Sequence, residues 1–168
     1  MRRKNIDELF IRDCVAEALA QLAKEKSYNE ISVVDICKRA GIGRTTFYRY
    51  FNNSDGKKDV VFYKISRAWG IYSENHPESI KTNLSQALMN YLYEEKEQFI
   101  WLYKNGLTDI IFEIFYVSTV MDPRKQAQNL YADAFLAGGL FGVVYQWVKD
   151  GFREKPESII KQLSKGSF

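Results

Sequence analysis

Ile31-Ser32-Val33-Val34-Asp35-Ile36-Cys37-Lys38-Arg39-Ala40-Gly41-Ile42-Gly43-Arg44-Thr45-Thr46-Phe47-Tyr48-Arg49-Tyr50-Phe51 decides the reading of this chain. Ser32 opens a helix, since its hydroxyl can accept from an orphan amide, and Asp35 stands three residues on, as in a capping box with Asp for Glu. Ile36, Cys37 and Ala40 supply the buried face. Gly41 stops the helix, because only glycine takes a left-handed turn without strain. After Ile42-Gly43 a second short helix over about 44–51 carries Phe47 and Phe51 inward at i, i+4. That spacing turns Arg44, Thr45, Tyr48 and Arg49 to its other faces.

Working outward, Leu9, Phe10, Val15, Leu19 and Leu22 predict an amphipathic first helix over roughly 6–25. On the other side, Asn52-Asn53-Ser54-Asp55-Gly56 is a turn cluster. A long helix follows from Lys57 to about Tyr72. Pro77 opens the next, carried to about Glu95 by Ile80, Leu84, Leu88, Tyr91 and Leu92. Phe99, Leu102 and Tyr103 make a short helix ending at Gly106. Residues 107–121 are apolar and β-branched, but a strand there would have no partner, so helix is expected. Pro123 opens a long helix to about Arg153, and Pro156 a last one. The fold class is therefore all-α, with a helix-turn-helix at 1–56 and a second helical domain at 57–168.

The 168 residues are enough for one or two small domains. Charge is uneven: residues 1–64 carry 13 Lys and Arg against 9 Asp and Glu, and residues 65–168 carry 11 against 12. A basic front suits a polyanionic partner, double-stranded DNA. A short helix enters the major groove when long donors line its exposed face and apolar residues lock its back. Arg44, Thr45, Tyr48 and Arg49 meet the first condition and Phe47, Phe51 and Ile36 the second. Lys57 and Lys58 open the next helix, where outward amides also favour a phosphate.

This run resembles the N-terminal signature of the TetR family of bacterial transcriptional regulators (TetR/AcrR type), through its Ala-Gly-Ile-Gly turn and the following Thr-Phe-Tyr-Arg-Tyr-Phe. The likeness is close over about 6–64 and architectural beyond. It implies an all-α homodimer, a sequence-specific DNA-binding head and a larger helical domain that dimerises and responds to a ligand. By that resemblance Ser32 and Val33 lie near the DNA backbone, Arg44, Thr45 and Thr46 open the recognition helix, Tyr48 contacts phosphate, and Arg49 and Tyr50 flank it. Arg44 is the candidate for a bidentate guanine contact. Arg2, Arg3 and Lys4 form either an arm along the DNA or a disordered tail. Two departures stand out. The segment 52–60 is about three residues longer than the family's usual link, which leaves open which of Lys57 and Lys58 meets the phosphate. Val34 occupies a position where the family commonly has a polar, groove-facing residue, which shifts the expected base reading toward the recognition helix.

In the second domain, apolar stripes run on two sides of the helix through 130–148. With Ile159 and Leu163 of the last helix, Gly138, Phe141, Gly142, Tyr145 and Val148 make the expected dimer interface, which the family's four-helix contact also implies. Two-fold symmetry then predicts a palindromic operator. Trp69, Tyr72, Tyr91, Trp101, Phe112, Tyr116 and Phe135 are candidates to line a ligand pocket, as aromatics on the central helices. The effector is a small molecule or a protein co-regulator; its binding would shift the helix after Lys57 and release the operator, making the protein a repressor. An alternative is a helical binding module whose DNA head has lost its function.

Other classes are disfavoured. The one histidine, His76, cannot build a multi-histidine metal site, and no catalytic constellation or cofactor motif is present, so an enzyme is not expected. The two cysteines, Cys14 and Cys37, sit inside apolar stretches and read as reduced, buried thiols of a cytoplasmic protein. The uncharged run 134–148 has 15 residues, short of the roughly 20 a membrane helix needs.

Overall fold

The computed structural model describes residues 2–52, 56–121 and 129–165, with the backbone alone for 2–7. Every regular element among them is a helix. The chain divides into two compact units, Met1–Ala68 and Trp69–Phe168. The division falls inside a helix, twelve residues beyond the sequence boundary at 56, because that helix's first three turns bury their apolar side in the first unit.

In the first unit, α1 (Arg2–Leu22) buries Val15, Ala18, Leu19 and Leu22. A 3-10 turn at Tyr28–Glu30 leads to α2 (Val33–Ala40) and α3 (Arg44–Tyr50). The first part of α4 (Gly56–Asn75) completes the unit with Val60, Val61 and Ile65. Ile31, Ile36, Phe47 and Phe51 fill the centre, each 2% exposed or less. Leu9 and Phe10 do not join this core, being 48% and 68% exposed. They lie on the turns of α1 ahead of Val15, where the apolar spacing continues past the neighbours able to cover it.

In the second unit, α5 (Pro77–Thr82) and α6 (Leu84–Glu94) replace the single helix expected over 77–95. Asn83 separates them: its side-chain oxygen accepts from the Gln86 amide at 3.0 Å, starting a new helix in mid-run. Then come α7 (Lys96–Lys104), α8 (Thr108–Thr119), α9 (Leu130–Lys149) and α10 (Pro156–Leu163). Residues 107–121 are helical as expected, and α8 packs along α9. The expected start at Pro123 lies outside the described residues, as does the segment 53–55. The helix ends at Lys149, before the expected Arg153, because Gly151 and Phe152 both turn left-handed, at φ 67° and 54°. Ala137, Val144, Trp147 and Val148 of α9 are buried. Among the described residues no helix is long and apolar enough to cross a membrane.

Candidate nucleic-acid interface

The turn between α2 and α3 is built as the sequence predicts. Ser32 accepts from the Asp35 amide at 3.1 Å, while the Asp35 carboxylate accepts from the Ser32 amide at 2.9 Å and its hydroxyl at 2.8 Å. Lys26 Nζ also donates to that carboxylate, at 2.8 Å. The Lys26 bond first, then the Ser32 bonds, hold Asp35 far below the usual carboxylate range. Gly41 closes α2 at φ 69°, where its amide and that of Ile42 turn back to the helix's last carbonyls.

Behind α3, Phe47 is fully buried and lies 5.5 Å from Phe51, ring centre to ring centre. Gly56, the first residue of α4, passes so close that a Cβ there would stand 2.9 Å from Phe47 Cε1 and 2.9 Å from the Phe51 carbonyl oxygen. One obstacle is backbone and cannot swing aside. In an open helix, alanine outranks glycine by about 1 kcal/mol. Here Gly56→Ala should reverse that sign and lower stability by about 1–3 kcal/mol through overpacking, read from urea unfolding. A stabilised variant would contradict the close packing of α4 on α3.

On the outer side, Arg44, Thr45, Tyr48 and Arg49 are exposed, as is Lys38 of α2. Tyr48, half in solvent, rests edge-on against Phe47 at 5.4 Å, which fixes its ring. Thr46 and Val33 are half-buried. Ser32 commits its hydroxyl and amide to the cap of α2. Tyr50 is half-buried and turned toward α1, with the Arg12 guanidinium 5.6 Å above its ring. Lys57 reaches inward, donating to the carbonyls of Ile31 at 2.9 Å and Tyr28 at 3.2 Å and lying 4.4 Å over the Tyr28 ring. It ties the start of α4 to the approach to α2. Lys58 is half-buried beside it. The side chains of Arg2, Arg3 and Lys4 lie outside the described residues.

Several supports of this face carry no local sequence signal. Arg12 pairs with Glu8 one turn before it and lies 5.6–5.7 Å over Tyr50, Phe51 and Tyr63. Tyr63 donates to Asp13 at 2.7 Å, across 50 residues of chain. Burial first, and the Asp13 carboxylate second, push the Tyr63 phenol up to about 12. Arg39 holds Glu25 in a bidentate pair, both bonds 2.9 Å. That pair spends one of the exposed cations of α2 on the fold.

The second-unit candidates separate into groups. Trp69, Tyr72 and Tyr91 come together, with ring centres 5.1–5.8 Å apart, and Tyr91 also meets Phe99. Burial raises the Tyr91 phenol well above its ordinary value. Phe112 and Tyr116 belong to a different cluster with Phe141 and Tyr145. Trp101 is half-buried. Phe135 is 75% exposed, on the open side of α9. Of the candidate interface residues, Gly138, Gly142 and Tyr145 are exposed, and Phe141, Ile159 and Leu163 are half-buried. Val148 is 3% exposed within its own chain, on the side of α9 shared with Ala137 and Val144, so it has little surface to offer a partner. Among the described residues no group of His, Cys, Asp and Glu is placed to hold a metal ion.

Residues 15–56 match the family described as bacterial regulatory proteins, tetR family. Residues 78–166, more than half of the chain, match the transcriptional regulator C-terminal region of that family. The chain is also similar to the HTH-type dhaKLM operon transcriptional activator DhaS of Lactococcus lactis subsp. lactis (strain IL1403), at 26% identity over 133 residues, covering 74% of this chain and 68% of that protein. A capped α2, a left-handed glycine turn and an α3 locked by Phe47, followed by a helical second unit, are thus found where both halves of one family match: the chain belongs to the TetR family of DNA-binding bacterial transcriptional regulators.

Proposed function

We propose that the protein is a homodimer that binds a palindromic operator through α3 and represses transcription until an effector loosens its hold. The observation that carries this reading is the exposed set Arg44, Thr45, Tyr48 and Arg49 on a helix fixed from behind by Phe47. Arg44 reads a base edge, Tyr48 and Lys58 meet phosphates, and Lys57 holds α4 in place. Arg44→Ala should weaken operator binding by about 1–3 kcal/mol and relax one base position. Tyr48→Phe should weaken binding with little change of preference. Fluorescence anisotropy on a selected operator and its single-base variants reads both; equal binding by wild type and both variants removes the assignment.

Support for the dimer comes from α9. Tyr131, Phe135, Gly138, Gly142 and Tyr145 lie at helical spacing and are all exposed, with Tyr131 at 89%. So continuous an apolar edge calls for a partner, and a Cβ at Gly138 or Gly142 would meet nothing packed against α9 within 4 Å. Close approach of a second helix suits those glycines. Sedimentation should give a dimer for wild type and a monomer for Phe135→Asp; a monomeric wild type at micromolar concentration would contradict the interface.

The effector is an apolar or aromatic small molecule, or a protein co-regulator, acting on the second unit. For a small molecule, the Trp69, Tyr72 and Tyr91 group on α4 and α6 is the best-supported seat. The sign of regulation has a second reading, because the similar protein DhaS is an activator. A reporter with the operator placed over or upstream of the promoter separates the two.

A further inference from the structure

One turn of α1 holds both the end of α3 and the body of α4. The Arg12 guanidinium lies 5.6–5.7 Å from the ring centres of Tyr50 and Phe51, at the end of α3, and of Tyr63, two turns into α4. The Phe51 and Tyr63 rings meet edge-on at 6.0 Å, so the cation spans a joint between two helices. Asp13, the next residue, accepts from the Tyr63 hydroxyl at 2.7 Å and lies 3.7 Å from Arg67 Nε, one turn further along α4. Glu8 steadies Arg12 from the preceding turn of α1, at 3.1 Å.

α4 is thus tied by polar bonds at two places. At its start Lys57 donates to the carbonyls of Tyr28 and Ile31, and six residues on Tyr63 donates to Asp13. Six residues span about 9 Å of helix axis. Two holds that far apart fix the direction of a rod, where one would leave it free to swivel. Val60, Val61 and Ile65 seat α4 in the core, but apolar burial has no direction, whereas a hydrogen bond weakens steeply when misaligned. From Tyr63 the same helix runs on to Asn75, past the boundary between the units after Ala68.

We infer that Arg12 and Tyr63 are positioning residues that set which spacing between operator half-sites the dimer accepts. The inference rests on the dimeric, palindrome-reading function proposed above and adds a spacing rule to it. In a dimer joined through its second units, the direction of α4 sets where each recognition helix stands, and half-site spacing must match that separation. An operator of the wrong spacing is reached by turning α4 against α1, which breaks the Tyr63 bond and slides Arg12 off its rings. The ties therefore add to the penalty for a wrong spacing and add nothing to the contact with any base.

The test selects operators with the full-length protein from random half-sites held at varied central spacings. Wild type, Tyr63→Phe and Arg12→Met are compared. Anisotropy then gives the affinity of each for the selected operator and for the same operator with one base pair added or removed at its centre. Wild type should prefer one spacing. Both variants should select the same half-site bases. The preference of Tyr63→Phe for the selected spacing should fall by about ten-fold per protomer, the worth of one hydrogen bond to a charged group. Arg12→Met should relax spacing in the same direction, and Arg12→Lys, which keeps the cation, should restore most of the preference. Tyr63→Phe keeps its ring against Phe51, and melting curves check that each variant is folded. A role in stability alone would lower affinity by the same factor at every spacing. An unchanged spacing ratio in either folded variant, or a wild type that binds neighbouring spacings equally, overturns the inference. A wild type that selects no palindrome at any spacing overturns instead the function on which it rests.

Discussion

Phe47→Ala should cost the protein about 3–5 kcal/mol and abolish operator binding, although Phe47 is buried behind α3 and away from the proposed DNA contacts. The side chain is fully buried, meets Phe51 and Tyr48, and packs under Gly56 at the start of α4. Its loss empties the point where α3 and α4 meet. The neighbouring glycine has no side chain to move into the space. A loss of that size is a large share of the 5–15 kcal/mol that ordinarily holds a domain. Urea unfolding followed by circular dichroism measures it. The variant should lose helix at much lower urea, whereas Arg44→Ala should unfold like wild type, which separates support of the recognition helix from contact by it. A Phe47→Ala protein that kept its unfolding midpoint would mean that α3 is held by something other than this ring.

The second large effect lies at the end of α9. Phe152 is a non-glycine residue at φ 54°, yet only 3% exposed. Its ring lies 4.7 Å from Trp147 and 6.4 Å from Tyr93, and Trp147 Nε1 donates to the Glu154 carbonyl at 3.0 Å. Burial of the ring holds a backbone conformation that an L-residue resists by roughly 1–2 kcal/mol. Phe152→Ala keeps the strain and loses the ring, so about 3–5 kcal/mol should go. Phe152→Gly loses the ring but relieves the strain, so it should be less harmful than Ala by about 1 kcal/mol. Trp147 fluorescence reports the change directly. Alanine and glycine variants of equal stability would show that the left-handed turn carries no strain.

What was legible in the sequence is what is local. The cap from Ser32 and Asp35, the stop at Gly41 and the inward pair Phe47 and Phe51 are each set within four residues, and all stand as read. What was hidden depends on distant chain. Nothing near Lys57 announces that it will reach the carbonyls of Tyr28 and Ile31, or near Arg12 that it will lie over Tyr50, Phe51 and Tyr63. Asn83 was lost in an apolar rhythm that continues on both sides of it, since periodicity measures faces and not caps. The aromatics of the second unit showed the same limit: spacing placed them on helices but not against one another. Hence Trp69, Tyr72 and Tyr91 meet, Phe112 belongs elsewhere and Phe135 stands in the open.

In the proposed function α3 reads DNA sequence through its exposed face. Selection of bound fragments from random DNA at moderate salt, with wild type and Arg44→Ala side by side, tests it most directly. An enriched palindrome is expected for wild type, lost or relaxed at one base position in each half for the variant. A folded wild type that enriches no sequence, or a variant that selects the same palindrome with the same affinity, would contradict it.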